Sequence, residues 1–192
     1  VGSEMCIRDR VKLMADITVG DIKKITKGKL LCGNEYDICE NFCIDSREIK
    51  SGDVFVGIKG ERVNGNELYE EVLKKGAKCL ILENVEIPED IIKKYTDSAI
   101  IIVEDTIKAL QQIAEYKRNL YKIPVIAITG SVGKTSTKDI VAEVVSKKYK
   151  VLKTQGNLNN HIGLPLTILS LKDEEAMAVS YTHLTLPTKL EV

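Results

Sequence analysis

Charge of one sign is what this sequence most plainly lacks: among 192 residues, 28 lysines and arginines meet 28 aspartates and glutamates. A nucleic-acid partner selects a basic footprint, so this balance speaks against one. Long hydrophobic runs are missing too. No stretch approaches the ~18–20 apolar residues of a membrane span, and the opening residues have no continuous apolar core of the signal-peptide kind. The reading is a cytoplasmic protein with neither a membrane nor a nucleic-acid partner. Histidine–cysteine clusters are equally scarce. Cys39 and Cys43 have a ligand-like spacing, but no second pair follows, and His161 and His183 lie far off in sequence. Cys6, Cys32, Cys39, Cys43 and Cys79 therefore read as small buried hydrophobes or free thiols in a reducing compartment. What is present is ordinary for a globular chain, 44% hydrophobic and 29% charged, and long enough for one good domain or two small ones.

Against that background one stretch stands out, Ile123 to Lys138, IPVIAITGSVGKTSTK. Val125 to Thr129 reads as a short, fully buried strand bounded by Pro124 and Gly130. Gly130-Ser131-Val132-Gly133 follows, and Lys134-Thr135-Ser136-Thr137 opens a helix. That order is the architecture of a phosphate-binding loop. Glycines let backbone N–H groups converge on an anion, and the helix adds the positive end of its dipole. Lys134 supplies a point charge, and the Thr135 hydroxyl is placed to ligand Mg²⁺. Ile128 stands where the general G-x-x-x-x-G-K-[ST] pattern has its first glycine, leaving G-x-x-G-K-T directly after a strand. The bland alternative is a glycine-rich turn with a solvated lysine.

Before this stretch, strands and helices alternate. Thr18 is a candidate N-cap for a helix carrying Val19, Ile22 and Ile25, closed by Gly28. Lys29–Cys32, Phe42–Asp45, Val54–Ile58, Cys79–Leu82 and Ala99–Val103 read as strands. A helix over Glu67–Lys75 presents Leu68, Val72 and Leu73, and a short helix begins at Pro88. Asp45-Ser46-Arg47 and the polar loop Lys59-Gly60-Glu61-Arg62-Val63-Asn64-Gly65-Asn66 form a candidate binding surface. Arg47 could clamp a diphosphate, and a glycine-rich loop lets amides approach one. Taken alone, Asp-Ser-Arg marks only a strand ending in solvated polar groups.

Thr106 to Tyr121 reads as a helix capped by Thr106, with the domain boundary near Asp105. After the phosphate loop the helix continues through Asp139–Lys148, with Ile140, Val141, Val144 and Val145 facing a sheet. Val151–Thr154 is the next strand, completing a right-handed βαβ unit. Thr154-Gln155-Gly156-Asn157-Leu158-Asn159-Asn160-His161-Ile162-Gly163-Leu164-Pro165 then leaves the sheet at the edge where α/β proteins bind ligands. Its asparagines could hold nucleotide, substrate or metal-bound water, or form an ordinary loop and helix cap. Residues 1–10 and 179–192 differ in texture and resemble translated adapter sequence, so the fold reading excludes them.

TGSVGKTSTK followed by TQGNLNNHIGLPLTIL resembles the Mur ligase family, ATP-dependent amide-bond formers of peptidoglycan synthesis. DSREIKSGDVFV, with Lys59-Gly60-Glu61-Arg62 and Asn64-Gly65, is similar to that family's UDP-sugar-binding domain. The form of the asparagine loop points to the members that add D-alanyl-D-alanine to UDP-N-acetylmuramoyl-tripeptide. The resemblance implies an α/β fold: a UDP-substrate-binding domain over 11–105, then the start of a truncated P-loop ATPase domain with a mostly parallel sheet over 106–178. ATP and Mg²⁺ are the implied cofactors. Thr129, Gly130, Ser131, Val132, Gly133, Lys134, Thr135 and Ser136 would cradle the nucleotide. Lys134 would act on its terminal phosphates, Thr135 would bind the metal, and Asn157 and Asn160 would lie close by. Ser46, Arg47, Lys59, Gly60 and Asn64 would meet the UDP substrate. The expected protein is a cytoplasmic monomer, whose fragment is inactive alone. Asn66 departs from the family, standing where histidine is common, and His161 occupies a variable place. Rival readings are a related ligase adding the third peptide residue or polyglutamating folate, a P-loop switch, or a UDP-sugar-binding module. The absence of an Asn-Lys-x-Asp motif weakens the switch.

Overall fold

A computed structural model describes residues 16–61, 63–121, 123–154, 158, 160–172 and 176–180. It divides into two compact units, Val1–Tyr121 with Ile168–Ser170, and Lys122–Thr167 with Leu171–Val192.

In the first unit, β1 (Ile17–Thr18) leads into α1 (Val19–Thr26) through a reciprocal cap. The Asp21 amide donates to Thr18 Oγ1 at 3.2 Å, and the Thr18 amide donates to the Asp21 carboxylate at 3.0 Å. The left-handed residue ending α1 is Lys27 (φ 54), one position before the glycine expected there. Then come β2 (Lys29–Cys32), β3 (Ile38–Cys39), β4 (Phe42–Cys43) and β5 (Val54–Val56). A 3₁₀ turn over Gly65–Leu68 feeds α2 (Tyr69–Lys74), so the helix expected over Glu67–Lys75 is split. β6 (Cys79–Glu83), α3 (Glu89–Lys94), β7 (Ala99–Val103) and α4 (Thr106–Leu120) complete the unit.

The main sheet has the order β2-β7-β6-β5-β4, parallel except for β2, while β1 and β3 form a separate antiparallel pair. Its central strands are continuous apolar runs because both faces are covered, as a parallel sheet requires. Phe55, Leu80, Leu82 and Ile100 are wholly buried against Val72, Leu73 and Ala77. Each such large side chain contributes about 1.5–3 kcal/mol by leaving water. α4 buries Ala109, Leu110, Ile113 and Ala114 and falls with this unit, past the boundary expected near Asp105. Its cap is Asp105, whose carboxylate accepts from the Lys108 amide at 2.9 Å. Thr106, expected as the cap, instead points at β6 (below).

The second unit contains β8 (Val125–Ile128), α5 (Lys134–Ser146), β9 (Val151–Lys153), α6 (Gly163–Leu169) except its last two residues, and β10 (Ala176–Ser180). All three strands are parallel, in the order β8-β10-β9. The β8–α5–β9 connection therefore skips a place, which β10 fills. Val179 and Ser180, set aside at the sequence level, pair with Ala127 and Ile128. Two further expectations change here. Ile126 is 38% exposed and Ala127 is exposed, so β8 is not the fully buried strand that its run of apolar residues suggests. On α5, Lys138 and Ala142 are the buried residues while Ile140 and Val144 are 63% and 66% exposed. The helix is thus turned to put a lysine against the sheet and two β-branched residues outside.

Candidate active site

The phosphate loop forms as the glycines dictate. Gly130 has φ 152, and Gly133 occupies the N-cap of α5 with φ 82, a left-handed conformation that side-chain-bearing residues avoid. A glycine brings no capping side chain, and none caps this helix. The first turn of α5 is therefore left to an incoming anion. Thr129, Gly130, Ser131, Val132, Gly133, Thr135 and Ser136 are all exposed, Val132 at 90%. Lys134 lies back across the loop, its Nζ donating to the Gly130 carbonyl at 2.6 Å. The ammonium is thus held by a neutral carbonyl acceptor, which a phosphate oxygen could replace.

Asn160 is exposed, and its Oδ1 accepts from the amides of Ile162 at 3.1 Å and Gly163 at 2.7 Å. It caps α6, which leaves its amide Nδ2 as the group that can face a ligand. Asn157 lies outside the described residues.

The first unit gathers the other expected residues along one edge. Asp45-Ser46-Arg47, the Lys59–Asn66 loop, Glu83 and the start of α4 follow the carboxyl ends of β4, β5, β6 and β7, where open α/β sheets take ligands. Ser46 is buried, and its carbonyl accepts from Lys75 Nζ at 2.7 Å. Arg47 is exposed and folded onto Asp45, with Nε–Oδ1 at 2.9 Å and Nη2–Oδ2 at 2.5 Å. Hydrogen bonds from the Arg47 side chain and amide hold the Asp45 carboxyl at about 2. To clamp a diphosphate, the guanidinium must exchange this carboxylate for it. Because the folded value lies below the ordinary 3.8, the pair's stabilisation is complete above that value and is lost as pH falls through about 2. Arg47→Ala is expected to return Asp45 to the ordinary carboxylate range, read by NMR titration of its side-chain carbon. A midpoint still near 2 would show that the guanidinium is not the cause.

Lys59 bridges to Asn64, and the Gly60 amide donates to the Val63 carbonyl at 3.0 Å, closing the loop as a tight turn. Asn64 caps the 3₁₀ turn, accepting from the Asn66 amide, and its own Nδ2 reaches Glu67 at 2.9 Å. Three residues tie these loops together: Asn66 and Thr106, named from the sequence in other roles, and Glu83, which sequence reasoning missed. Buried Asn66 donates to Asn64 Oδ1 at 3.1 Å and accepts from the Glu83 amide at 2.9 Å. The Glu83 carboxylate accepts from the amide of Thr106 at 2.6 Å and from its hydroxyl at 3.2 Å. Beside them is a pocket of about 230 Å³ lined by Lys59, Glu83, Glu104, Asp105, Thr106 and Ile107. For Glu83 the signal in the sequence was a glutamate ending an otherwise apolar strand.

A strand, a glycine loop, a lysine over the loop and an uncapped helix define a P-loop α/β protein, preceded by a second α/β unit with its own ligand edge. Residues 40–118 match the Mur ligase family, catalytic domain, and residues 128–180 match the Mur ligase middle domain. The UDP-N-acetylmuramoyl-tripeptide–D-alanyl-D-alanine ligase of Bacillus subtilis is 36% identical over 164 residues, 84% of this chain and 35% of that protein. Its Escherichia coli counterpart is 34% identical over 166 residues, 86% of this chain and 34% of that one. Among solved structures, MurF from Acinetobacter baumannii superposes with a TM-score of 0.75 at 30% identity, over 86% of this chain and 35% of that one. MurF ligase from Thermotoga maritima in complex with ADP gives 0.65 at 36% identity, over 73% of this chain and 31% of that one. The chain belongs to the Mur ligase family. It spans about 35% of the length of the curated relatives it matches.

Proposed function

We propose that this chain carries the UDP-substrate unit and the ATP loop of a cytoplasmic, monomeric ligase that joins D-alanyl-D-alanine to UDP-N-acetylmuramoyl-tripeptide. The observation that carries this reading is the phosphate loop, where Lys134 lies across Gly130 at the uncapped start of α5. The identity to ligases of that specificity supplies the substrates. ATP, when bound, would supply the γ-phosphate that turns the substrate carboxylate into an acyl phosphate with release of ADP, and the dipeptide amine would displace that phosphate to form the amide. The chain's own part is positioning and charge neutralisation, which phosphoryl transfer chiefly needs. Loop amides and the start of α5 bind the phosphates, and Lys134 offsets the charge gathering on the transferring group.

A Mg²⁺ ion fits this loop. It keeps several waters and binds through few protein groups plus phosphate oxygens, and the exposed Thr135 hydroxyl in the first turn of α5 would be one of those protein groups. On the other unit, Arg47, Ser46, Lys59, Gly60 and Asn64 would hold the UDP moiety at the edge of the parallel sheet.

Calorimetric titration of the purified chain with Mg–ATP and, separately, with UDP-N-acetylmuramoyl-tripeptide tests the reading. Both are expected to bind, with no joining of D-alanyl-D-alanine by the chain alone. Binding of neither ligand would refute the assignment. Joining by the chain alone would refute its inactivity.

A further inference from the structure

We infer that Lys138 is a positioning residue that couples the phosphate loop to the asparagine loop by gripping the carboxyl end of β9. This rests on the reading of Gly130–Thr135 as the ATP loop. Lys138 is 2% exposed, on the face of α5 that meets the sheet, one turn after Lys134. A lysine there costs more than an apolar residue unless its ammonium is satisfied, and Ala142 shows what plain packing uses one turn later. Its Nζ donates to the Thr154 carbonyl at 2.6 Å and lies 3.7 Å from the Asp139 carboxylate. Asp139 in turn takes Lys153 Nζ at 2.9 Å. Two consecutive residues of α5 thus hold the last residue of β9 and the residue after it.

What they hold matters more than how firmly. Thr154 is wholly buried and is the last residue before the asparagine loop, so its carbonyl fixes where that loop leaves the sheet. At the loop's far end Asn160 is fixed by capping α6. Lys134 and Lys138 are an i, i+4 pair on one rigid helix. A movement of α5 as the loop closes on phosphate is therefore passed to Thr154 and on to the asparagine loop. An apolar residue at 138 could bury the same surface but could not pull on a carbonyl.

The test follows amide NMR signals of the whole chain as Mg–ATP is added. In the unmodified chain the signals of residues 130–136 and those of Leu158 and Asn160–Gly163 are expected to move together. In Lys138→Met the first set still moves. The second set loses most of its response, and Lys138→Arg restores it. A purely structural lysine would lower the melting temperature without separating the two sets, and an unchanged second set in Lys138→Met overturns the inference. Should that variant not fold, the side-chain ¹⁵N signal of Lys138 in the unmodified chain decides. It is expected to shift at saturation, and a fixed signal overturns the coupling. If residues 130–136 themselves do not respond, the ATP reading falls and this inference falls with it.

Discussion

Lys134→Met is expected to weaken Mg–ATP binding by about tenfold to a hundredfold, the range of a hydrogen bond to a charged group, about 1.5–3 kcal/mol. Methionine keeps the length of the stem and removes only the ammonium. In the free chain that ammonium is bound to the Gly130 carbonyl at 2.6 Å in an exposed loop. Giving up this contact on binding is cheap, since the phosphate is a stronger, charge-assisted acceptor. Folding should be nearly untouched, because surface substitutions of this kind stay within about 0.5 kcal/mol. Calorimetry and a urea titration on the same variant separate the two effects. An affinity within twofold of the unmodified chain would mean that the lysine stays on Gly130 when nucleotide is bound, and would remove it from the site.

Gly33→Ala is expected to destabilise the first unit strongly. Gly33 follows β2 with φ +95, which costs a side-chain-bearing residue about 1–2 kcal/mol. An added Cβ would also lie 2.4 Å from the Ala99 Cα and 2.8 Å from its backbone nitrogen, contacts that no rotamer can relieve. Overpacking of this kind adds about 1–3 kcal/mol. The sum, about 2–5 kcal/mol, falls where β2 joins the buried strand β7. Gly52 supplies the control, since it shares the conformation (φ +91) but has nothing within 4 Å of an added Cβ. Gly52→Ala should therefore cost only the conformational part. Urea midpoints of the two variants, followed by a first-unit probe, measure the difference. Equal losses would show that strand β2 moves away from Ala99 without penalty.

How much of this was legible before the structure depends on how far apart the interacting residues lie. The phosphate loop was readable because its requirements are local: glycines, a lysine and a threonine at fixed offsets after a strand. The capping box of Thr18 and Asp21 is local for the same reason. The tie through Asn66, Glu83 and Thr106 was not readable, because its members lie 17 and 23 residues apart and meet only through the order of parallel strands. Apolar runs mislead where the neighbouring layer is what decides. Val125–Ile128 has the composition of a buried strand, yet Ile126 is exposed, and Ile140 and Val144 look outward while Lys138 looks in. Helical spacing names two opposite faces and does not say which one meets the sheet. Asp105 and Thr106 show the finer version of this problem. Either could cap α4, and the position of Glu83 settles that the threonine is turned toward β6 instead.

The strand order of the second unit has a consequence for how this protein is made. Among the described residues β8 and β9 share no ladder; each pairs there with β10, and Val125 stands in register with Met177. In a chain emerging from the ribosome, the helix after the phosphate loop ends at Ser146, thirty residues before β10 begins at Ala176. The first unit, whose strands β5, β6 and β7 pair in succession, can close while synthesis continues. The parallel ladder of the second unit thus closes late, only once synthesis has carried β10 into place between two strands already made.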